Sequence, residues 1–371
     1  MHHQDSNYDS LRLDTGFEVP PGAVAKVSII DSTLRIYGLP PTDLVGPKIP
    51  GFDAFPLVPA WSFLVESSTG EKAIFDLAVP PNYNESFSPA LLERVLGFGW
   101  DIHVEKHVAD ILRENGEDLE SIGSVIWSHS HWDHIGDPTT FPHTTNLVVG
   151  PGFSKAVLPG YPINPESLVS EAYFENRTLI EVDFDKTPLR IGQFPALDFF
   201  NDGSFYLLST PGHDTGHISA LARTTTNPDT YILMGGDIAH HGAELRPSSD
   251  LPIPSNLTGL YPCPSSLEEC PGPEDFAKLT ASLGRNPAGP ALEPAIFVNY
   301  TEAVGSIQKA QGLDARDDVW VVWAHDADIA GRVNFYPKRV NDWKAKGWKK
   351  QGEWLFLGDL ARGAAKFECE R

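Results

Sequence analysis

Residues 129–134 read His-Ser-His-Trp-Asp-His, which places four side chains able to bind a metal within six positions. The apolar run Val125-Ile126-Trp127 comes directly before them, so the segment is predicted to be a loop at the end of a buried strand. Alternating positions allow such a loop to turn some ligands toward one cation and the rest toward another. Since only 13 of the 371 residues are histidines, chance does not readily produce this cluster. The segment therefore predicts a metal site.

One four-ligand segment cannot complete two coordination spheres, so further ligands are expected at the ends of later strands. Three apolar runs downstream are each followed by one candidate. The runs and their ligands are 205–208 with His213, 230–234 with Asp237, and 319–323 with His325. A single histidine or aspartate at a strand end is more often a hydrogen-bonded turn residue. Three of them after the first segment favour a metal centre.

In this order of residues the chain resembles the metallo-β-lactamase superfamily, whose elements are an early aspartate, His-x-His-x-Asp-His, a histidine, an aspartate and a final histidine. The resemblance spans about residues 60–326 and implies an α+β fold, a four-layer αβ/βα sandwich with the metals at one edge of the paired sheets. The implied ligands are His129, His131 and His213 for one metal, Asp133, His134 and His325 for the other, and Asp237 between them. It also implies that Asp76 organises the ligand loop and that His217 is structural rather than a ligand.

Imidazole and carboxylate ligands suit zinc, so two zinc ions are the expected cofactor, although the same ligands also accept iron or manganese. A water shared by two cations is acidified toward hydroxide while the metals polarise a carbonyl, so no serine or cysteine nucleophile is needed. The sequence accordingly contains no Gly-x-Ser-x-Gly elbow. These considerations predict a dinuclear zinc hydrolase in which Asp133 is catalytic as well as a ligand.

Three residues narrow the branch of the superfamily that the chain resembles. His131 stands where the flavodiiron branch typically has glutamate, and Asp237 stands where the true hydrolases of lactam antibiotics have cysteine. With Trp132 inside the motif, the chain resembles the acyl-homoserine lactone lactonases and related fungal lactone and lactam hydrolases. The resemblance implies opening of a cyclic ester or amide of a small secondary metabolite or xenobiotic, as in detoxification or secondary metabolism.

One position departs from that branch, because many of its lactonases have tyrosine three residues after the bridging aspartate and this chain has His240. A histidine there could donate a hydrogen bond to the carbonyl or protonate a leaving group, and it could equally cap a turn. His240 is therefore a candidate catalytic residue. A bicyclic lactam or an aromatic lactone fits this site as well as a homoserine lactone does.

Two alternative functions have the same ligands. A thioesterase that releases a polyketide from an acyl carrier protein is one, but carrier proteins are acidic and the formal charge of −22 disfavours their docking. The same charge, from 50 acidic and 28 basic residues, excludes nucleic acid and anionic membranes as expected partners. A binding module with a decayed site is disfavoured because no ligand is missing. A small molecule is therefore the expected partner, and the oligomeric state stays open.

We expect one domain over residues 1–371, with a core at about 24–330 and surface insertions near 151–176 and 240–275. No apolar stretch is long enough to span a bilayer, and the polar N-terminus shows no signal peptide, so a cytoplasmic location is expected.

In the reducing cytosol, Cys263 and Cys270 are expected to be free thiols and not to form a disulfide. The periodicity of residues 101–115 predicts one helix, on which His103 and His107 are surface residues. Residues 24–38 are predicted to be a strand.

Overall fold

The computed structural model describes residues 17–366, in which twelve of the sixteen strands form two six-stranded sheets and the other four form two small two-stranded sheets. The strands are β1 (Lys26–Asp31), β2 (Arg35–Tyr37), β3 (Val45–Gly46), β4 (Trp61–Glu66), β5 (Lys72–Phe75), β6 (Asp101–His103), β7 (Ile122–Ile126), β8 (Asn146–Val149), β9 (Leu179–Glu181), β10 (Arg190–Ile191), β11 (Phe194–Asp198), β12 (Phe205–Ser209), β13 (Ile218–Thr225), β14 (Thr230–Met234), β15 (Glu293–Pro294) and β16 (Val319–Val322). The helices are α1 (Tyr83–Ser86), α2 (Pro89–Gly97), α3 (Val108–Glu114), α4 (Trp132–Ile135), α5 (Phe153–Val157), α6 (Gly242–Leu245), α7 (Pro273–Ser282), α8 (Tyr300–Asp314), α9 (Trp343–Lys346), α10 (Trp348–Gly352) and α11 (Leu357–Ala365).

The two sheets pack face to face because each presents a continuous apolar face to the other. The first has the strand order β1-β4-β5-β7-β8-β9 and the second β10-β11-β12-β13-β14-β16. Phe63 and Phe75 of the first sheet share one buried cluster with Phe205 and Met234 of the second. This cluster forms the centre of the molecule.

Helices cover the outer faces of both sheets. Val108 and Leu112 of α3 pack in a cluster with the outer side chains of the first sheet, and Ile307 and Leu313 of α8 do so with the second. The layers are thus helix, sheet, sheet, helix. The expected α+β four-layer αβ/βα sandwich is confirmed.

The strand directions bring the candidate ligands to one edge. β5 and β7 run parallel, as do β14 and β16, so the carboxyl ends within each pair lie side by side. Asp76 follows β5 and His129 comes three residues after the end of β7, while Asp237 and His325 each follow their strand by three residues. Residues far apart in sequence therefore meet at the same edge of the sandwich.

The predicted helix over residues 101–115 is wrong in its first half. Ile102 lies in β6 and pairs with Ile36 of β2, so only α3 is helical, with His107 at its N-cap position. The predicted strand 24–38 is likewise divided, into β1 and β2. Pairing between distant segments overrides the local helical spacing of the apolar side chains.

The packed core extends beyond residue 330. Trp343 and Trp348 join the cluster between the sheets, and Leu357 and Leu360 of α11 are buried in a further apolar cluster. The limit expected at 330 is thus too early, because these later side chains pack into the same apolar clusters as the preceding chain. Within residues 17–366, no helix is long and apolar enough to cross a bilayer. The prediction that the N-terminus shows no signal peptide concerns residues outside that range.

The segment 240–275, expected on the surface, is buried at its start. His240, Glu244 and Arg246 are almost fully enclosed, whereas most of 249–275 lies exposed or half-buried. Two cysteines in the exposed part are joined by a disulfide, with Cα atoms 5.7 Å apart, so the expectation of free thiols at Cys263 and Cys270 is wrong. A cysteine count and a redox compartment do not report the distance between two thiols, and the fold brings these two within range of a bond.

A buried ion pair anchors the start of this segment to α8. Arg246 Nε and Nη2 each lie 2.6 Å from a carboxylate oxygen of Asp314. Asp314→Ala is expected to lower the free energy of unfolding by about 3–5 kcal/mol, because Arg246 would be left buried and unpaired. Urea denaturation measures the loss. Asp317→Ala, which removes the exposed pair with Lys344, is the matched control, with a loss of about 1 kcal/mol or less. Equal losses in the two variants would contradict the prediction.

Candidate metal centre

Asp237 is the centre of the candidate site, and its two carboxylate oxygens face different histidines. Its Oδ1 lies 3.1 Å from His134 Nε2 and 3.2 Å from His325 Nε2. Its Oδ2 lies 3.3 Å from His213 Nε2 and 3.7 Å from His129 Nε2. The two oxygens of Asp237 thus face two different pairs of histidines.

The remaining predicted ligands complete the two sets. His131 Nδ1 lies 2.9 Å from His213 Nε2, and Asp133 Oδ2 lies 3.5 Å from His325 Nε2. Zinc–ligand bonds of about 2.0–2.1 Å place neighbouring donors of a tetrahedral site about 3.3 Å apart. The structure thus brings together all seven predicted ligands at spacings that suit metal coordination. They fall into one set of His129, His131, His213 and Asp237 and a second set of Asp133, His134 and His325.

Several donor atoms of the site are buried and lack a hydrogen bond. His129 Nε2, His134 Nε2 and Asp237 Oδ1 have no hydrogen-bond partner within the part of the chain that the structure describes. A buried polar atom without a partner is costly, and native proteins satisfy nearly all of them. Cations at the two positions would satisfy these atoms, so the residues present fit a metal centre.

Asp76 fixes the ligand loop from behind, in the position expected for it. Its Oδ1 accepts the backbone N–H of Ser128 at 2.7 Å, and its Oδ2 accepts His134 Nδ1–H at 2.9 Å and the Ser128 hydroxyl at 2.8 Å. The backbone of Asp76 is left-handed, with φ of 60°, a conformation that aspartate tolerates better than most residues. With Nδ1 of His134 bound to Asp76, its Nε2 is directed toward Asp237.

His217 is a neighbour of the site and not a member of either ligand set. Its Nδ1–H donates to the Thr210 carbonyl at 2.9 Å, and its Nε2 accepts the backbone N–H of Asp237 at 3.0 Å. Burial lowers the pKa of His217 to about 4, so the ring stays neutral and can accept that bond. His217 therefore positions the backbone of Asp237.

The charges of the site are balanced within it. Burial lowers the pKa values of His129 and His213 well below the ordinary value, which keeps both rings neutral as metal ligation requires. Burial also disfavours charge on His134, but Asp237 and Asp76 outweigh it and raise the pKa of His134 well above the ordinary value. Burial opposes the charge on Asp237, yet His134 and His325 hold its pKa well below the usual range.

His240 lies at this centre, as a catalytic or ligand residue would. Its Nε2 is 3.2 Å from Asp237 Oδ2, and its ring stacks on that of His325 with centroids 5.8 Å apart. The side chain is 2% exposed. His103, by contrast, is exposed and pairs with Asp101 on β6.

A cavity of about 480 Å³ opens over the ligands. Asp133, Asp237 and His240 border it at the metal end. Most of its wall is apolar and comes from five separate parts of the chain. These apolar residues include Ile36, Leu39, Leu44, Val58, Leu91, Phe98, Trp100, Trp132, Val157, Leu168, Val169, Ile296, Phe297 and Val298. Such a chamber suits a small, largely apolar molecule with one polar reacting group.

Comparison with known proteins agrees with this geometry. The model of a family described as the metallo-beta-lactamase superfamily matches residues 56–225. Gamma-lactamase FDB1 from Fusarium pseudograminearum (strain CS3096) is 40% identical over 95% of this chain and 86% of its own length. The chain belongs to the metallo-β-lactamase superfamily. It is a hydrolase of that superfamily, and it carries the cluster of histidines and aspartates described above.

Two further matches extend the comparison. Cytochrome P450 monooxygenase mpaDE' from Penicillium brevicompactum is 39% identical over 96% of this chain, which spans only 40% of that protein's length. A solved structure of a quorum-quenching N-acyl homoserine lactone hydrolase superposes with a TM-score of 0.56 at 16% identity, over 85% of this chain and 98% of that one. The second match shows the same metallo-β-lactamase fold.

Sequence reasoning missed several residues around the centre of this superfamily member. Asp214 accepts both the backbone N–H and the hydroxyl of Ser130, at 3.0 and 2.6 Å, and so holds the ligand loop from the far side. Glu244 lies behind His240 and forms a capping box with His241 at the start of α6, a three-residue spacing that could have signalled it. Arg94, the one cation on the described cavity wall, gave no signal, because only tertiary packing places α2 there.

Proposed function

We propose that this chain is a hydrolase with two metal ions, zinc in the first instance, that opens the ring of a small cyclic amide or ester. The observation that carries the proposal is the division of ligands between the two oxygens of Asp237. His129, His131 and His213 would hold one cation, and Asp133, His134 and His325 the other. When bound, the two cations would turn a shared water into the nucleophile and polarise the carbonyl.

The chain's own residues bind and orient the ring. The apolar walls exclude water from around the carbonyl, which strengthens electrostatic interactions at the reacting end. Asp133 is more exposed than Asp237, with 13% of its side chain accessible against 3%, so it is the ligand carboxylate that reaches furthest toward the substrate. His240 borders the same end of the cavity and completes the polar groups there.

The cavity and the relatives support the proposed substrate class. A volume of about 480 Å³ suits a molecule of drug size or smaller, and a mostly apolar wall favours a ring system over a sugar or peptide. The name of the Fusarium relative, gamma-lactamase, supports a lactam as the first choice. Arg94 at the wall offers one cationic partner for an acidic or polar substituent.

A hydrolysis panel tests the proposed function. The zinc-loaded protein is incubated with γ-lactams, γ- and δ-lactones and acyl thioesters, each with and without a fused aromatic ring, and products are separated by mass. We expect ring opening, seen as the gain of one water, and no cleavage of thioesters. Heat-denatured protein with the same zinc is the control for metal-catalysed background. Thioester cleavage without ring opening would overturn the proposal in favour of an acyl-carrier thioesterase.

A further inference from the structure

His240 and Glu244 are two buried neighbours whose polar atoms are incompletely satisfied. Both ring nitrogens of His240 and Oε1 of Glu244 have no hydrogen-bond partner among residues 17–366. Their side chains are 2% and 0% exposed. Buried polar atoms of this kind call for partners, such as a bound metal ion for a ring nitrogen.

Glu244 is held in place by the turn that begins α6. Its Oε2 accepts the backbone N–H groups of His240 and His241 at 2.6 and 3.1 Å. This capping explains one carboxylate oxygen and not the other. Because the carboxylate is fixed on the side of the His240 ring away from Asp237, Nδ1 of His240 lies 3.9 Å from Oε2, and a small ring movement would close a hydrogen bond.

The other ring nitrogen points the opposite way, into the centre. His240 Nε2 lies 3.2 Å from Asp237 Oδ2, and the donor atoms of His240, Asp237 and His325 all lie within 4.8 Å of one another. This is the same spacing that the proposed ligands show. A metal-binding histidine commonly donates its second ring N–H to a carboxylate or carbonyl.

Two of the proposed ligand histidines already follow that arrangement. His134 Nδ1–H donates to Asp76 at 2.9 Å, and His325 Nδ1–H donates to the Pro59 carbonyl at 2.6 Å. In both, Nε2 then faces the centre. His240 has the same orientation, with a carboxylate behind Nδ1 and the centre in front of Nε2.

We propose that His240 is a further ligand of the metal centre, binding through Nε2 beside Oδ2 of Asp237, and that Glu244 positions it by accepting Nδ1–H. The inference rests on the metal centre of the proposed function. It also changes the role considered for His240 from sequence, because an imidazole nitrogen that binds a metal carries no hydrogen and cannot donate one to a substrate carbonyl.

Cobalt replaces zinc as the probe, because the visible absorption of Co²⁺ reports the number and type of its ligands and needs no substrate. Metal-free protein is titrated with Co²⁺ alone, for the parent and for the His240→Gln, His240→Ala and Glu244→Gln variants. His103→Ala is the matched control, since it removes an exposed histidine far from the ligand sets. Far-UV circular dichroism and thermal unfolding check that each variant is folded, and glutamine keeps much of the volume of His240.

We expect the His240 variants to alter the cobalt spectrum and to bind one of the two ions at least about tenfold more weakly. Glu244→Gln should weaken the same ion by roughly tenfold, the lower end of the effect of losing a group that orients a ligand. His103→Ala should match the parent. A parent spectrum and parent affinity in folded His240→Gln would overturn the inference, and the same result in Glu244→Gln would overturn the role of Glu244. A parent that binds no cobalt or zinc would instead contradict the proposed function itself.

Discussion

Replacement of Asp133 by alanine is expected to lower kcat/KM by about 10²–10³-fold while the protein stays folded. The loss is of the size seen when a group that stabilises the transition state is removed. Asp133 supplies the carboxylate that lies 3.5 Å from His325 Nε2 and 3.9 Å from His134 Nε2, so alanine would empty one corner of the second ligand set. Its side chain borders the cavity and no apolar cluster depends on it. Steady-state kinetics on the best substrate of the panel measures the effect.

Asp137→Ala is the matched control for that variant. Asp137 lies four residues further along the same loop and accepts the Thr139 backbone N–H at 2.9 Å, so its loss weakens a turn without touching either ligand set. We expect parental kcat/KM for this control and unchanged circular dichroism for both variants. Parental turnover by folded Asp133→Ala protein would contradict a mechanism that needs the second cation.

The ligands were predictable because each is fixed by its own short stretch of chain. Four of them lie within residues 129–134, and Asp237 and His325 each follow a buried strand whose apolar run is visible in the sequence. An apolar strand must enter the core, so its polar end residue must emerge at an edge of the sheet. The order of ligands along the chain then identified the family, and with it the pairing of sheets that brings the strand ends together.

Other features depended on contacts between distant segments and could not be predicted. Residues 101–107 have helical spacing, but Ile102 is held in a strand by its pairing with Ile36. The cavity wall joins Leu44, Trp100 and Val169, which come from parts of the chain with no shared pattern. Substrate preference is set by such walls, so the sequence predicted the reacting groups far better than the shape of the chamber around them.

Removal of metal is expected to abolish hydrolysis completely, and return of about two equivalents of zinc is expected to restore it. The reason is that seven ligand side chains, Asp237 among them, converge at one centre, while His129 Nε2 and His134 Nε2 stay without hydrogen-bond partners in the described chain. Bound metal should also raise the midpoint of thermal unfolding, because it binds the folded chain in preference to the unfolded one. Elemental analysis of the purified protein, followed by rate measurement against added zinc after chelation, checks both expectations. Cobalt and manganese added in place of zinc show whether the recovery depends on one metal.

Full activity in protein that retains no stoichiometric metal would disprove the metal-dependent mechanism, and full recovery at one equivalent would reduce the centre to a single cation.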